Sequence, residues 1–481
     1  MAAAEEVRFS LKVITLKESF KVLYAQVDSD FADVLLSFLT LPLGTIVRLL
    51  VKHYGSNAPI LGSLNSLYAG LQDLDSSHFW TEAGKLMLLN PRNSSGIQCS
   101  RLKLQIDDIP PIQCFECCNG TCVSMYNKVK CPCPNSTRTM IRRDLEIEPK
   151  METGFVSAPT ASFLLTDDLQ ILANSPTSIF RILKLNGIEH TNVLEERTLT
   201  VGLKEIMELL KGSLVSKTPL TDIILCLSTE AVPSNERKRL SASAIYETDA
   251  LCLTLNSQNV RPDSKKIYIK AFVQKSTNRI LLAETRQDLV DFLFSFLTIP
   301  LGRVQFLLGG NTFVGSISNL YRSISNLEIG EHMKSREATF RLLQPQLPLY
   351  CMSSYQIFSL DQECSPEFYR LCNSNRVKLF VSTPIDNCRK LKMIDPKGQD
   401  CFVKGPTTFM VTDDLVVSTP SSTSIISILN KMKIPLSDVE ERELDIGMEE
   451  ALSILKASLT STGALTDGLK PFLTRQPKQK K

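Results

Sequence analysis

Seven of the fourteen cysteines fall between residues 99 and 133: Cys99, Cys114, Cys117, Cys118, Cys122, Cys131 and Cys133. Thiolates are soft ligands, and four of them close a tetrahedral shell around zinc. Cys114-x-x-Cys117 has knuckle spacing, and Cys131-Pro132-Cys133-Pro134 supplies a second pair with one spacer residue instead of two. The expected ligands are therefore Cys114, Cys117, Cys131 and Cys133 around one structural Zn, with residues 118–130 as the hairpin between the pairs. Cys118 and Cys122 compete, since either could replace a member of the first pair. The other readings are buried apolar cysteines or a redox-labile thiol patch. Cys351, Cys364, Cys372, Cys388 and Cys401 are widely spaced and form no paired motif, so any metal belongs to the first half of the chain.

A second candidate is a pair of carboxylates. Thr166-Asp167-Asp168-Leu169 returns as Thr412-Asp413-Asp414-Leu415, each time beside short apolar runs. Two carboxylates could hold a divalent cation or serve a hydrolase or transferase as acid and base. Adjacent strand residues point to opposite faces, however, which favours a tight hairpin turn with Asp side chains bonded to backbone N–H groups. His78 and His332 occupy matching positions, with no nucleophile or acidic partner standing out near them in the sequence. A Walker A loop, a Gly-x-Gly-x-x-Gly turn, a Gly-x-Ser-x-Gly elbow and a His-Glu-x-x-His helix are all missing. Lys128, Lys130, Arg138, Arg142 and Arg143 form a basic run beside the cysteines, and a basic zinc hairpin could contact phosphates. Aromatic residues are sparse there, only Phe115 and Tyr126.

The elements that must position these groups are written twice. Ser37-Phe38-Leu39-Thr40-Leu41-Pro42-Leu43-Gly44 returns as Ser295-Phe296-Leu297-Thr298-Ile299-Pro300-Leu301-Gly302. Gly62-Ser63, Leu67-Tyr68, Leu88-Leu89-Asn90-Pro91, Glu195-Glu196-Arg197 and Leu220-Thr221-Asp222 recur in the same order as Gly315-Ser316, Leu320-Tyr321, Leu342-Leu343-Gln344-Pro345, Glu440-Glu441-Arg442 and Leu465-Thr466-Asp467. A long unit present twice is a tandem domain pair and not a solenoid. The expected organisation is a first repeat at 1–229 with a Cys-rich insert at about 99–133, a polar linker at 230–263, a second repeat at 264–475 and a disordered basic tail at 476–481. Asn127-Lys128-Val129-Lys130 matches Asn375-Arg376-Val377-Lys378, which sets Leu379 opposite Cys131 and Val381 opposite Cys133.

Each half reads as α+β. Phe9, Leu11 and Val13 alternate, Lys17-Glu18-Ser19 turns the chain, and Val22 to Val27 returns. Phe31, Val34, Leu35, Phe38 and Leu39 then make a helical stripe, repeated as Leu289, Phe292, Leu293, Phe296 and Leu297. Asp30 and Asp288 stand where N-caps belong, and Pro42 and Pro300 stop the helix. Ser175-Pro176 opens a further helix, Val193 to Val201 alternates as a strand, and Leu203, Ile206, Met207 and Leu210 mark a final helix.

Hydrophobic residues make up 43% of the 481 and charged residues 22%, enough to build cores. A net charge of +3 argues against a whole-protein polyanion binder. The first ten residues lack the pattern of a signal peptide, and the longest apolar stretch, Val34 to Val47, is short of the roughly 20 residues that span a bilayer. No membrane and a cytoplasmic location are expected, with the cysteines as thiols or ligands.

Together these motifs resemble a plant-specific family known as domain of unknown function 674. The pieces that carry the resemblance are the Leu11-Lys12-Val13 strand and its Val22-to-Val27 partner, Phe38 to Gly44, Gly62 to Tyr68, Leu88 to Pro91, Phe163 to Leu169 and Leu220-Thr221-Asp222. With their second copies they cover nearly the whole chain. The resemblance implies a plant protein of tandem copies with a cysteine-bearing insert in the first, and it implies no activity. Duplication without a catalytic signature points away from an enzyme and toward a binding or scaffolding module with a protein partner. The alternatives are a hydrolase or transferase using Asp167, Asp168, Asp413 or Asp414, and a zinc-dependent nucleic-acid binder.

Overall fold

In the computed structural model, the opening alternation forms strand Phe9–Leu16, which pairs antiparallel with Val22–Asp28. The described residues are 7–110, 113–133, 140–143, 145–146, 154–157, 162–229, 265–310, 315–373, 376–381 and 388–473. The expected linker at 230–263 and tail at 476–481 lie outside them. The architecture is mixed α+β, and no helix among the described residues is long and apolar enough to cross a membrane.

Phe31, Val34, Leu35, Phe38 and Leu39 are all fully buried. Each such side chain stabilises the fold by about 1.5–3 kcal/mol through removal from water. Helix Ser29–Leu36 tightens into a 3-10 turn over Ser37–Thr40 before Pro42, whose extended backbone starts helix Leu43–Tyr54. The matching residues of the second half follow the same order, with helix Gln287–Ser295, the turn Phe296–Thr298 and Pro300 before helix Leu301–Leu307. The caps differ from expectation. Asp28, not Asp30, accepts the N–H of Phe31 at 2.8 Å, and Arg286 precedes the second helix without a side-chain cap.

The repeated Leu-Thr-x-Pro-Leu-Gly corner has a physical reason in each letter. Thr40 and Thr298 donate their hydroxyls to the carbonyls of Ser37 and Ser295, both at 2.8 Å. Pro42 and Pro300 face one another in an antiparallel bridge, with Leu43 N–H on the Ile299 carbonyl and Leu301 N–H on the Leu41 carbonyl. A Cβ on Gly44 would sit 3.0 Å from the Leu297 carbonyl oxygen, and one on Gly302 only 2.3 Å from that of Leu342. The corner is thus a tightly packed self-complementary contact between the two occurrences of the motif.

Two five-stranded sheets share one strand order. The first runs Ile171–Ala173, Ser162–Thr166, Val22–Asp28, Phe9–Leu16 and Leu194–Val201; the second runs Val417–Ser418, Phe409–Thr412, Arg279–Thr285, Ile267–Gln274 and Val439–Ile446. Helix Leu203–Val215, expected to be the last of its half, is followed by another, Pro219–Thr229.

The chain forms two compact units that cut across the sequence halves. One comprises Met1–Ala32, Val156–Asp263 and Gly309–Ser335; the other comprises Asp33–Phe155, Ser264–Leu308 and Arg336–Lys481. Within the first unit, Gly315 lies so close to the helix ending at Val215 that a Cβ would meet the Ser213 carbonyl oxygen at 2.5 Å. Ser316 donates its hydroxyl to the Ser216 carbonyl at 2.8 Å. Met333 bridges Val156, and the His332 ring packs on Phe163. Within the second unit the same partners recur with the halves exchanged. Gly62 lies against the Ser458 carbonyl, again at 2.5 Å, Ser63 donates its hydroxyl to the Ser461 carbonyl at 2.7 Å, Phe79 bridges Val403, and the His78 ring packs on Phe409. Gly62 and Gly315 both have positive φ, so only glycine meets the backbone and space demands together.

The second unit also holds two four-stranded sheets. One is ordered Cys388–Lys390, Phe368–Asn373, Arg376–Val381 and Leu145–Glu146; the other Lys392–Met393, Cys122–Ser124, Cys114–Glu116 and Ile141–Arg143. Each combines three strands of one half with one of the other. Leu379 and Val381 lie in the strand that takes the sheet position of Cys122–Ser124, whereas Cys131 and Cys133 lie in the irregular stretch after that strand. The register that set Leu379 opposite Cys131 is therefore corrected.

Buried carboxyls give the fold a pH dependence. Asp291 accepts the N–H groups of Phe402 and Val403 at 2.6 and 2.9 Å, and burial pushes its carboxyl up to about 6. Burial does the same to Asp107 and Asp167. Because these folded-state values exceed the unfolded one, their stabilisation is full below about pH 4 and is lost as pH rises through 6. The three carboxyls are expected to lower the unfolding free energy by on the order of 1 kcal/mol per group between pH 5 and pH 7.5, and Asp291→Asn is expected to remove one such contribution. A pH dependence unchanged in Asp291→Asn contradicts the assignment.

Candidate metal centre

Cys117 and Cys122 meet because the chain turns tightly between them. Asn119-Gly120 sits at the tip, with Gly120 at φ +60°, its N–H on the Cys117 carbonyl at 3.0 Å and the Cys117 N–H on the Cys122 carbonyl at 3.0 Å. Positive φ favours glycine there, and a Cβ would also strike the Arg370 guanidinium. Val129 and Cys131, both buried, bring the second pair back over this turn.

The ligand atoms of Cys117, Cys122, Cys131 and Cys133 all lie within 4.8 Å of one another. The Cys122 and Cys133 sulfurs are 3.5 Å apart. A tetrahedral zinc with Zn–S of about 2.3 Å requires sulfurs roughly 3.8 Å apart, so little movement separates this group from a closed shell. Backbone N–H groups already point at the sulfurs: those of Thr121 and Cys122 at Cys117, at 3.3 and 3.2 Å, and that of Cys133 at Cys131, at 3.4 Å. The Thr121 hydroxyl lies 3.1 Å from the Cys133 sulfur and 3.4 Å from that of Cys117. Such donors disperse the negative charge of a thiolate shell and orient it.

The sulfurs are tuned in two directions. Burial raises the Cys117 thiol, but the hydroxyl and N–H donors outweigh it and bring the group down to about 6. The Thr121 hydroxyl holds Cys133 low as well. Burial raises Cys122 and pushes Cys131 up to about 12. A cation reverses that protonation, because a coordinating thiol gives up its proton. The donor set thus fits a tetrahedral thiophilic ion.

Three of the expected ligands, Cys117, Cys131 and Cys133, are brought together, and Cys122 takes the fourth place. Cys114 lies outside the group, in a strand, with its thiol pushed up to about 12 by burial and then by Glu116. Cys118 is exposed, on the turn. The missed signal was Asn119-Gly120, a turn dipeptide that makes Cys117 and Cys122 close a hairpin. Elsewhere, burial pushes Cys351, a core thiol, up to about 12, and does the same to the partly exposed Cys99.

The paired carboxylates do structural work. Asp167 accepts the N–H and hydroxyl of Thr221 at 2.8 and 2.7 Å, capping the first turn of helix Pro219–Thr229, and Thr221 in turn accepts the N–H of Val22. Asp413 accepts the Thr466 N–H at 2.8 Å at the start of helix Ala464–Leu473, and Thr466 accepts the N–H of Ile280 at 2.9 Å. Asp168 and Asp414 accept the hydroxyls of Thr166 and Thr412 in their own turns, each at 2.5 Å. The two repeated motifs, Thr-Asp-Asp-Leu and Leu-Thr-Asp, are therefore each other's partners. Asp167→Ala is expected to lower stability by about 1–2 kcal/mol in urea unfolding, the size of a lost helix cap; an unchanged midpoint contradicts the capping role.

The basic run is partly neutralised. Lys128 pairs with Glu82, and Arg143 lies 2.9 Å from Glu116, which Arg370 also contacts at 3.1 Å. Arg138 lies outside the described residues.

Residues 5–446 match the family model described as "Protein of unknown function (DUF674)", and the chain belongs to that family. No curated protein and no solved structure matches it.

Proposed function

We propose that this DUF674 member holds one structural Zn with Cys117, Cys122, Cys131 and Cys133 and acts as a non-enzymatic binding or scaffolding module for a protein partner. The observation that carries the metal is the convergence of four sulfurs within 4.8 Å under backbone N–H donors. Support for a non-catalytic role comes from the carboxylates: Asp167 and Asp413 are spent on capping helices, and Asp168 and Asp414 on their own turns. We read 1–229 and 264–475 as copies of one ancestral unit, joined through 230–263. The shared strand order and the reciprocal Gly62 and Gly315 contacts support this. A cytoplasmic location fits this reading, since a thiolate zinc site needs a reducing compartment.

Metal analysis of full-length protein purified without chelator tests the site, with about one zinc per chain expected. Metal-free protein that takes up no zinc on titration overturns it. For the module, pull-downs are expected to recover a stable partner. Recovery of none, together with robust turnover on a metabolite panel, overturns that part.

A further inference from the structure

The cysteine turn is hydrogen-bonded to a strand from the other half of the sequence. Lys392 N–H donates to the Thr121 carbonyl and Ile394 N–H to the Val123 carbonyl, both at 2.9 Å. Thr121 and Val123 flank Cys122, so the ligand sits in the strand that this parallel pairing secures. On the other side of the turn, the Arg370 guanidinium packs over Gly120 and contacts Glu116, whose side chain is only 1% exposed. Shifting Cys122 must therefore disturb a ladder joining segments more than 250 residues apart in sequence.

We propose that the four-cysteine site is an oxidation-sensitive clasp: hydrogen peroxide converts Cys122 and Cys133 to a disulfide, releases the metal and loosens the pairing of residues 121–123 with 392–394. The clasp rests on the zinc site proposed above. Cys133 is the half-buried member of the group and the other three are buried, so oxidant reaches Cys133 first. Its thiolate sulfur attacks one peroxide oxygen and the O–O bond breaks, giving a sulfenic acid and hydroxide. The Cys122 thiolate, with its sulfur 3.5 Å away, then attacks that sulfenic sulfur and expels a second hydroxide. Two electrons pass from the two sulfurs to the peroxide, and the two hydroxides take up protons as water. With two of its four ligands in a disulfide, the ion leaves to solvent. A disulfide draws the sulfurs in from 3.5 Å to about 2.05 Å, so Cys122, held in the ladder, must move toward Cys133 or strain that pairing.

The test uses full-length, zinc-loaded protein and hydrogen peroxide at a few equivalents, with a zinc-sensitive dye, disulfide mapping and amide exchange read together. The clasp predicts release of about one zinc, a Cys122–Cys133 disulfide, and exchange at residues 392 and 394 accelerated about tenfold, all reversed by thiol reductant and added zinc. In Cys133→Ser, examined without zinc, the same dose is expected to add no further acceleration of exchange at residues 392 and 394. Protein that binds no zinc at all defeats the metal site and the clasp with it. Zinc-bearing protein that keeps its metal, forms its disulfide elsewhere or shows unchanged exchange at 392 and 394 defeats the clasp alone.

Discussion

Cys122→Ser is expected to abolish stoichiometric zinc binding, while Cys114→Ser and Cys118→Ser keep it. Serine is nearly the size of cysteine, but its hydroxyl is not a thiolate at neutral pH, so removing one ligand opens the shell. Structural zinc sites bind with apparent free energies of about 10–16 kcal/mol, and that energy stabilises the fold because the unfolded chain has no such site. Losing even part of it exceeds any other single substitution considered for this chain. Cys122→Ser is accordingly expected to leave residues 113–133 open to thermolysin at temperatures where the parent resists. Cys114 sits in its own strand and Cys118 on the exposed face of the turn, so neither change should move zinc content or cleavage. Cys117→Ser should behave as Cys122→Ser. If Cys114→Ser empties the site and Cys122→Ser does not, the ligands are those suggested by knuckle spacing and the geometry is wrong.

The second large effect concerns the exchange of segments between halves. A protease site placed within 230–264 and cut to completion is expected to leave two fragments that co-elute with the mass of the intact chain. Residues 309–335 of the second fragment complete the unit built on the first sheet, and residues 33–155 of the first fragment complete the unit built on the second. Separation would expose Leu71, Phe79, Met87 and Leu88 on one side and Ile317, Leu320 and Met333 on the other, all buried at about 1% or less. At about 25 cal/mol per Å2 of apolar surface, exposing these side chains opposes separation. Two fragments that part under native conditions, each folded and monodisperse, contradict the exchanged arrangement.

Much of this fold was legible because its local signals agree. Phe9, Leu11 and Val13 alternate, and the Phe31-to-Leu39 stripe is helical, so either pattern predicts its own element without tertiary help. The Ser175 cap with Pro176 behind it is equally local: its hydroxyl accepts the Ser178 N–H at 3.1 Å. What could not be read were choices made by distant residues. Asp33 and Asp291 look like helix N-terminal acids, yet Asp33 accepts the N–H of Phe155 and Asp291 those of Phe402 and Val403, more than a hundred residues away. Nothing local in Gly62-Ser63 or Gly315-Ser316 says which half's helix will press on it. At the candidate metal site, spacing alone favoured Cys114 over Cys122, because a CxxC pair is a local pattern. The proximity of Cys117 and Cys122 comes from a hairpin turn whose far strand accepts the N–H groups of Lys392 and Ile394, contacts made by residues far away in sequence. The repeated aspartates were readable as turn residues, but their grip on Thr221 and Thr466 needed the folded chain.

X-ray absorption at the zinc edge of the full-length protein, purified without chelator, tests the central claim most directly. Four sulfur scatterers at about 2.3 Å, with no nitrogen or oxygen in the first shell, are the predicted result. A shell containing water, imidazole or carboxylate in place of any sulfur, or protein in which no zinc edge can be raised by titration, contradicts the account.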